Sequence, residues 1–283
     1  MYQLIHSNMS KGNFHQVLCS LPLRQNDKPS FSVQLLPFVS FEAGQLIMFG
    51  GIQSSGRTLT MLTLMNEFML NGHSVCWISN TERGSELALK LLAIRTNTPY
   101  SELKIDFEGA KNTAMEVGLG DCSIFDKCYY WGDCRTYIEN QANTGTKVFF
   151  IDALTCLIYD ESQTDFNEKL DKMAREFKIL ATVLNILIIG SSPFGHEIYE
   201  REGHYPSTGD LPGSYLFAEM FDTILLFHVP EMYGITEAED GGQLYNQIEI
   251  FVGKGRFPIA KPFHRFDPYI FEIDNLIPRV NIT

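Results

Sequence analysis

Residues 49 to 60 read FGGIQSSGRTLT, set between the apolar run QLIMF (45 to 49) and the long helical pattern RTLTMLTLMNEFML (57 to 70). Gly51, Gly56, Arg57 and Thr58 fit the pattern G-x-x-x-x-G-[basic]-[ST], in the strand–loop–helix setting that a phosphate-cradling loop needs. Glycines let the backbone N–H groups of Ser54, Ser55 and their neighbours curl around a phosphate, and the helix start adds its positive dipole end. A hydroxyl at Thr58 is a candidate ligand for a magnesium ion. Arg57 stands where such loops usually carry lysine. Its planar fork neutralises phosphate charge but suits a bidentate partner better than the narrow pocket that a compact ammonium fills.

The loop's usual companion is a buried strand ending in aspartate, and KVFFID (147 to 152) supplies Asp152 as a second candidate metal-organising group. With QLIMF and KVFFID, the runs SVCWIS (74 to 79), ILIIG (186 to 190) and DTILLFH (222 to 228) form a series of short apolar segments. Such runs mark strands buried on both faces of a parallel sheet. Helical patterns separate them. In DFNEKLDKMAREFKILATVLN, Leu170, Met173, Phe177, Leu180 and Leu184 recur at three- and four-residue steps, a core-facing stripe. NQIEIFVGKGRFPIAKPFHRFDP (246 to 268) alternates with period two around a turn, predicting an antiparallel edge. The fold class is therefore α/β, a three-layer sandwich with a mostly parallel central sheet and an antiparallel C-terminal edge. Ligands are expected at the carboxyl ends of the central strands.

At 283 residues with 45% hydrophobic content, the chain holds one sizeable core. Residues 1–35 read as an irregular arm and 36–283 as the core domain. With 22 Lys and Arg against 34 Asp and Glu, the net charge of -12 repels polyanions overall, so any nucleic-acid contact must be local or shared across an oligomer. No signal-like segment opens the sequence and no apolar run reaches the roughly 18 residues that span a bilayer, so an intracellular, cytoplasmic protein without a membrane partner is expected. The six cysteines, several within apolar runs, suit reduced buried thiols better than a disulfide framework.

The order of these motifs resembles the ATPase domain of DnaB-type replicative helicases, a branch of the RecA-like superfamily, from about residue 35 to 270. SVCWISNTERGSELALKLLAIRTNTPYSEL is similar to the family's strand ending in Ser-Leu-Glu-Met-Ser and the helix behind it. KVFFIDALTCL resembles its aspartate strand, and LATVLNILIIGSSPFG its strand ending in Ser-Gln-Leu-Asn-Arg. GDLPGSYLFAEMFDTILLF lies without gaps on the Ser-Asp-Leu-Arg-Glu-Ser-Gly segment and the strand behind it, with Asp210, Leu211, Ser214, Asp222 and Ile224 coinciding. FVGKGRFP resembles the Ala-Lys-Gln-Arg-Asn-Gly turn. The resemblance implies ATP and Mg2+ as cofactors, bound by Gly51, Ser54, Ser55, Gly56, Arg57, Thr58 and Asp152. It implies Lys254 and Arg256 as residues reaching a neighbouring subunit's nucleotide, hence a homo-oligomeric ring or a ring with related subunits. Single-stranded DNA would be met by Gly213, Ser214 and Tyr215. The family's amino-terminal collar has no counterpart in the short arm, so the chain is expected to be the motor half alone.

Departures from the family pattern cluster on chemistry. Thr81 aligns with the water-activating glutamate, with Glu82 one position away as the candidate base. Ser192 takes the place of the γ-phosphate-sensing glutamine, and Pro212 and Gly213 that of the Arg-Glu pair in the DNA-facing loop. Two functions stay open: an ATP-hydrolysing motor acting on single-stranded DNA in replication or DNA transfer, and a catalytically degenerate subunit serving assembly or regulation. A recombination or timing ATPase of the same superfamily is a third. GHEIYEREGH (195 to 204) lacks the second histidine of a zinc-protease helix and reads as a polar loop. EMYGITEAEDGGQ reads as a solvated hairpin tip, and Tyr129, Tyr130 and Trp131 as core.

Overall fold

A computed structural model describes residues 29–119, 122–159, 165–237, 241–245, 247–255, 269–272 and 277–279. Six parallel strands form the centre of the sheet: β3 (Leu46–Gly51), β4 (Val75–Ser79), β5 (Ser123–Phe125), β6 (Val148–Asp152), β7 (Leu187–Pro193) and β8 (Thr223–His228). β9 (Gln247–Lys254), β10 (Tyr269–Glu272) and β11 (Ile277–Arg279) continue it antiparallel, giving the order β11-β10-β9-β8-β3-β7-β6-β4-β5. The antiparallel edge is thus where the period-two pattern placed it, although the turn at 256–268 lies outside the described residues. The packed chain begins before residue 36, earlier than the arm boundary drawn from composition. β1 (Ser30–Phe31) pairs with β2 (Phe41–Glu42), and Phe31, Leu35 and Leu36 are buried.

Both faces of the sheet are covered, and β6 shows why its sequence is apolar throughout. Val148 and Phe150 enter one core cluster while Phe149 and Ile151 enter the other, as the two-residue period of a strand dictates. Helices α1 (Arg57–Leu70) and α2 (Gly84–Thr96) pack on the first face, where Phe68, Trp77 and Phe150 meet and Trp77 stacks on Phe150 with centroids 5.5 Å apart. α3 (Tyr100–Ile105) and α4 (Phe107–Glu116), which no strong periodicity announced, follow on the same side.

The second face carries α5 (Trp131–Asn143) and α6 (Phe166–Leu184). α6 begins where the Asp165 carboxylate accepts from the N–H groups of Asn167 and Glu168, and ends at Asn185 in the left-handed region. Between these caps Leu170, Met173, Phe177 and Leu180 are buried as the stripe required, and Trp131 meets Phe177 edge-on at 4.4 Å. Trp131 is core, but Tyr129 and Tyr130 are about half exposed, which corrects their assignment to the interior. They lie in the extended stretch before α5, where alternate side chains face outward. Cys76, Cys128 and Cys134 are buried free thiols, whereas Cys156 is exposed. No helix among the described residues is long and apolar enough to cross a membrane.

Opposite the loop end of the sheet, Asp222 fastens the start of β3. Its carboxylate accepts from the Leu46 N–H at 2.8 Å and from Lys178 Nζ at 2.5 Å.

Candidate nucleotide site

The carboxyl ends of β3, β4, β6 and β7 converge on a cleft of about 560 Å³. Residues 53 to 59, Thr81, Glu82, Lys90, Asp152, Ala153, Cys156 and Pro193 line it. On one side lies the loop after β3. Ser54 adopts a positive φ of 64°, and Gly56 one of 84° as the residue capping α1. A Cβ on Gly56 would also collide with Ile248 Cδ1, so two independent constraints demand glycine there. α1 has no side-chain cap and no acidic residue in its first turn, so its leading N–H groups face the cleft with only the dipole's positive end behind them.

Asp152 closes the other side. Thr58 Oγ1 donates to its Oδ2 at 2.7 Å, and the Ser191 hydroxyl donates to its Oδ1. Loop, aspartate strand and β7 therefore meet at one buried carboxylate. The chain leaving β6 is clamped by Asn80, whose amide donates to the Ala153 carbonyl at 3.0 Å and accepts from the Ala153 N–H at 2.8 Å.

Two polar atoms of the loop are buried without a hydrogen-bond partner among the described residues, Ser55 Oγ and Arg57 Nη1. Such groups cost about 1–3 kcal/mol each when left unpaired, so both mark places where an anion's oxygens fit. Burial holds the Arg57 guanidinium below its ordinary value, opposed by attraction to Asp152 and Cys156. Its Nη2 reaches the Ile52 carbonyl at a long 3.5 Å.

Glu82 sits where β4 turns into α2. The Ser79 hydroxyl accepts from the Glu82 N–H and donates to the Glu82 carbonyl, both at 3.0 Å, which fixes the backbone of the turn. Its carboxylate receives Lys90 Nζ at 2.5 Å. Thr81 also borders the cleft, its hydroxyl directed to the Asp152 carbonyl at 3.4 Å.

A model of the family described as the DnaB-like helicase C-terminal domain matches residues 38–261. The chain belongs to this family. The DnaB-like domain is 24% identical over 273 residues to the replicative DNA helicase DnaB of Helicobacter pylori strain J99, covering 92% of this chain and 53% of that protein. It is 23% identical to the DnaB of strain 26695, covering 92% and 52%. The chain thus spans about half the length of these relatives. Among solved structures, an isolated ATPase domain superposes with a TM-score of 0.69 at 18% identity, covering 84% of this chain and 85% of that one. A DnaB-like replicative helicase, described with its interactions with primase, gives 0.72 at 15% identity, covering 84% and 57%. Both matches show a RecA-like fold.

In the DnaB-like domain, Gly56, Arg57, Thr58, Ser54, Ser55, Glu82 and Asp152 share one cleft, and Gly51 closes β3 behind it. Ser192 does not face it. That side chain is fully buried, its hydroxyl 3.0 Å from Thr155 and donating to the Pro193 carbonyl, because β7 alternates and turns Ser191 toward Asp152 instead. Lys254 is remote from the cleft within one chain: its ammonium donates to the carbonyls of Ala218 and Glu219 at the end of α7 (Tyr215–Glu219). Arg256 lies outside the described residues. At the start of α7, Gly213 has a φ of 105° and Tyr215 is 78% exposed. The Ser214 hydroxyl, by contrast, is committed, donating to Asp171 Oδ2 at 2.6 Å and accepting from the Leu216 N–H. Ser191, Asn80 and Lys90 escaped sequence reading, since none belongs to a spacing pattern that identifies a cleft residue.

Proposed function

We propose that this domain binds ATP with magnesium in the cleft and hydrolyses it, as one subunit of a ring that moves on single-stranded DNA. The contact between Thr58 and Asp152, facing the unpartnered Arg57 Nη1 and Ser55 Oγ, carries this proposal. Those residues fit a metal–triphosphate: hydroxyl and carboxylate are adjacent oxygen donors, and the loop offers N–H groups and a buried cation to the phosphates. Thr58 and Asp152 would hold the ion, which when bound supplies charge neutralisation at the phosphate oxygens. Glu82 accepts the proton of the attacking water as the water oxygen bonds to the terminal phosphorus. The bond to the bridging oxygen breaks, and ADP leaves with that electron pair. Lys254 and Arg256 serve a neighbouring subunit's nucleotide, and Gly213, Ser214 and Tyr215 offer backbone and ring contacts to DNA.

Phosphate release measured with and without single-stranded DNA tests the motor. Glu82→Gln should lower turnover by about 10²–10⁴-fold with binding retained. A Glu82→Gln variant as active as wild type would remove Glu82 from the chemistry. The degenerate-subunit reading is favoured by one observation, the burial of Ser192 away from the cleft. Nucleotide binding with turnover at background in the wild type would establish it.

Cys156 gives an independent probe of occupancy. Partial burial raises its thiol above the ordinary value, while the Arg57 cation pulls it down. Only the thiolate is alkylated, so labelling of Cys156 by iodoacetamide, followed by peptide mass, should be slow at pH 7 and rise about tenfold per pH unit. Saturating Mg-ATP should suppress it. Labelling that ignores ATP would place the nucleotide elsewhere.

A further inference from the structure

The cleft contains two cations, and their geometry divides the work between them. Arg57 lies under the loop: its Cδ packs against Gly51, its Nη2 points back to the Ile52 carbonyl, and its Nη1 is buried. A rigid planar fork held this way meets phosphate oxygens lying within the loop's curl but has no free stem with which to follow a group further out. Lys90 projects from α2 on the facing wall, its side chain 24% exposed, with an ammonium of three donors and one partner among the described residues, the Glu82 carboxylate at 2.5 Å.

We propose that Lys90 is the cation that meets the terminal phosphate, and that its transfer from Glu82 to that phosphate is what makes the carboxylate available as a base. The proposal rests on the nucleotide-site assignment above. While the pair is closed, the ammonium occupies a lone pair of Glu82 that the attacking water's proton needs. A terminal phosphate carries more charge than one carboxylate, and the flexible four-carbon stem of lysine lets the ammonium exchange one oxygen partner for the other. Lys90 is thus a phosphate-binding residue and, through Glu82, a positioning residue. It couples base availability to the presence of a third phosphate, so ADP leaves the pair closed.

Equilibrium titration of the full chain with fluorescent analogues of ATP and ADP, in magnesium, tests this. Lys90→Met should weaken ATP binding about 10-fold, the scale of one charge-assisted hydrogen bond, with ADP binding changed less than about twofold. Lys90→Arg should restore most of the ATP affinity. Glu82→Gln, which leaves Lys90 in place and removes its competing charge, should strengthen ATP binding selectively, and this arm stands even if Lys90→Met fails to fold. Equal effects on ATP and ADP, or no selective gain in Glu82→Gln, overturn the proposal while leaving the site assignment intact. Wild-type protein that binds neither nucleotide overturns both.

Discussion

Asp152→Asn is expected to abolish the magnesium dependence of ATP binding and to lower any hydrolysis by about 100-fold or more, with little change in melting temperature. The amide is nearly isosteric and its remaining oxygen still accepts from one of the two hydroxyls that converge on the carboxylate, Thr58 and Ser191. The charge is lost, and with it the hard anionic donor that a magnesium ion needs beside Thr58. Changes one step removed from a metal typically cost about 10–100-fold, so loss of the donor itself should reach at least the upper end. Calorimetric titrations of ATP in magnesium and in EDTA measure it. Wild-type titrations that differ strongly between the two conditions, with Asp152→Asn titrations that do not, are the expected pair. An unchanged magnesium effect in the variant would relocate the metal.

The second large effect concerns the scaffold. Phe177→Ala should destabilise the domain by about 3–5 kcal/mol, since a fully buried ring is removed between α6 and the sheet and Trp131 loses its edge-on partner. For a domain of this size that is a fall of roughly 10 °C in melting temperature. Val183→Ala on the same helix, at a position 59% exposed, should shift stability by less than about 0.5 kcal/mol. Paired urea denaturation curves distinguish them, and comparable losses in the two variants would mean that α6 is not seated on its Leu170–Phe177 stripe.

The two contrast in how far the sequence disclosed them. Strands such as β6 and helix α6 were legible because burial on two faces, or on one stripe, leaves a period in the residues themselves. The loop at 51 to 58 was legible because its glycines answer backbone demands that no other residue meets. The gapless segment from Asp210 to Ile224 was legible as a family resemblance, yet part of its matching is structural. Arg201 holds Asp210 through both carboxylate oxygens, and Asp222 anchors β3. What stayed hidden depends on side chains meeting across elements. Whether Ser191 or Ser192 faces Asp152 is decided by the register of β7, and the pairing of Lys90 with Glu82 by how α2 leaves β4. The exposure of Tyr129 and Tyr130 followed from an extended stretch with no periodicity to read.

The five residues of α7 are pinned at both termini. Asp171 of α6 takes the hydroxyl of the capping Ser214, and the ammonium of Lys254 on β9 crosses the carbonyls of the last two residues. So short a helix gains little rigidity from its own hydrogen bonds. Fastened in this way it behaves as a strut, so a load applied to the exposed ring of Tyr215 is delivered to a long helix and an edge strand instead of being dissipated in a local bend.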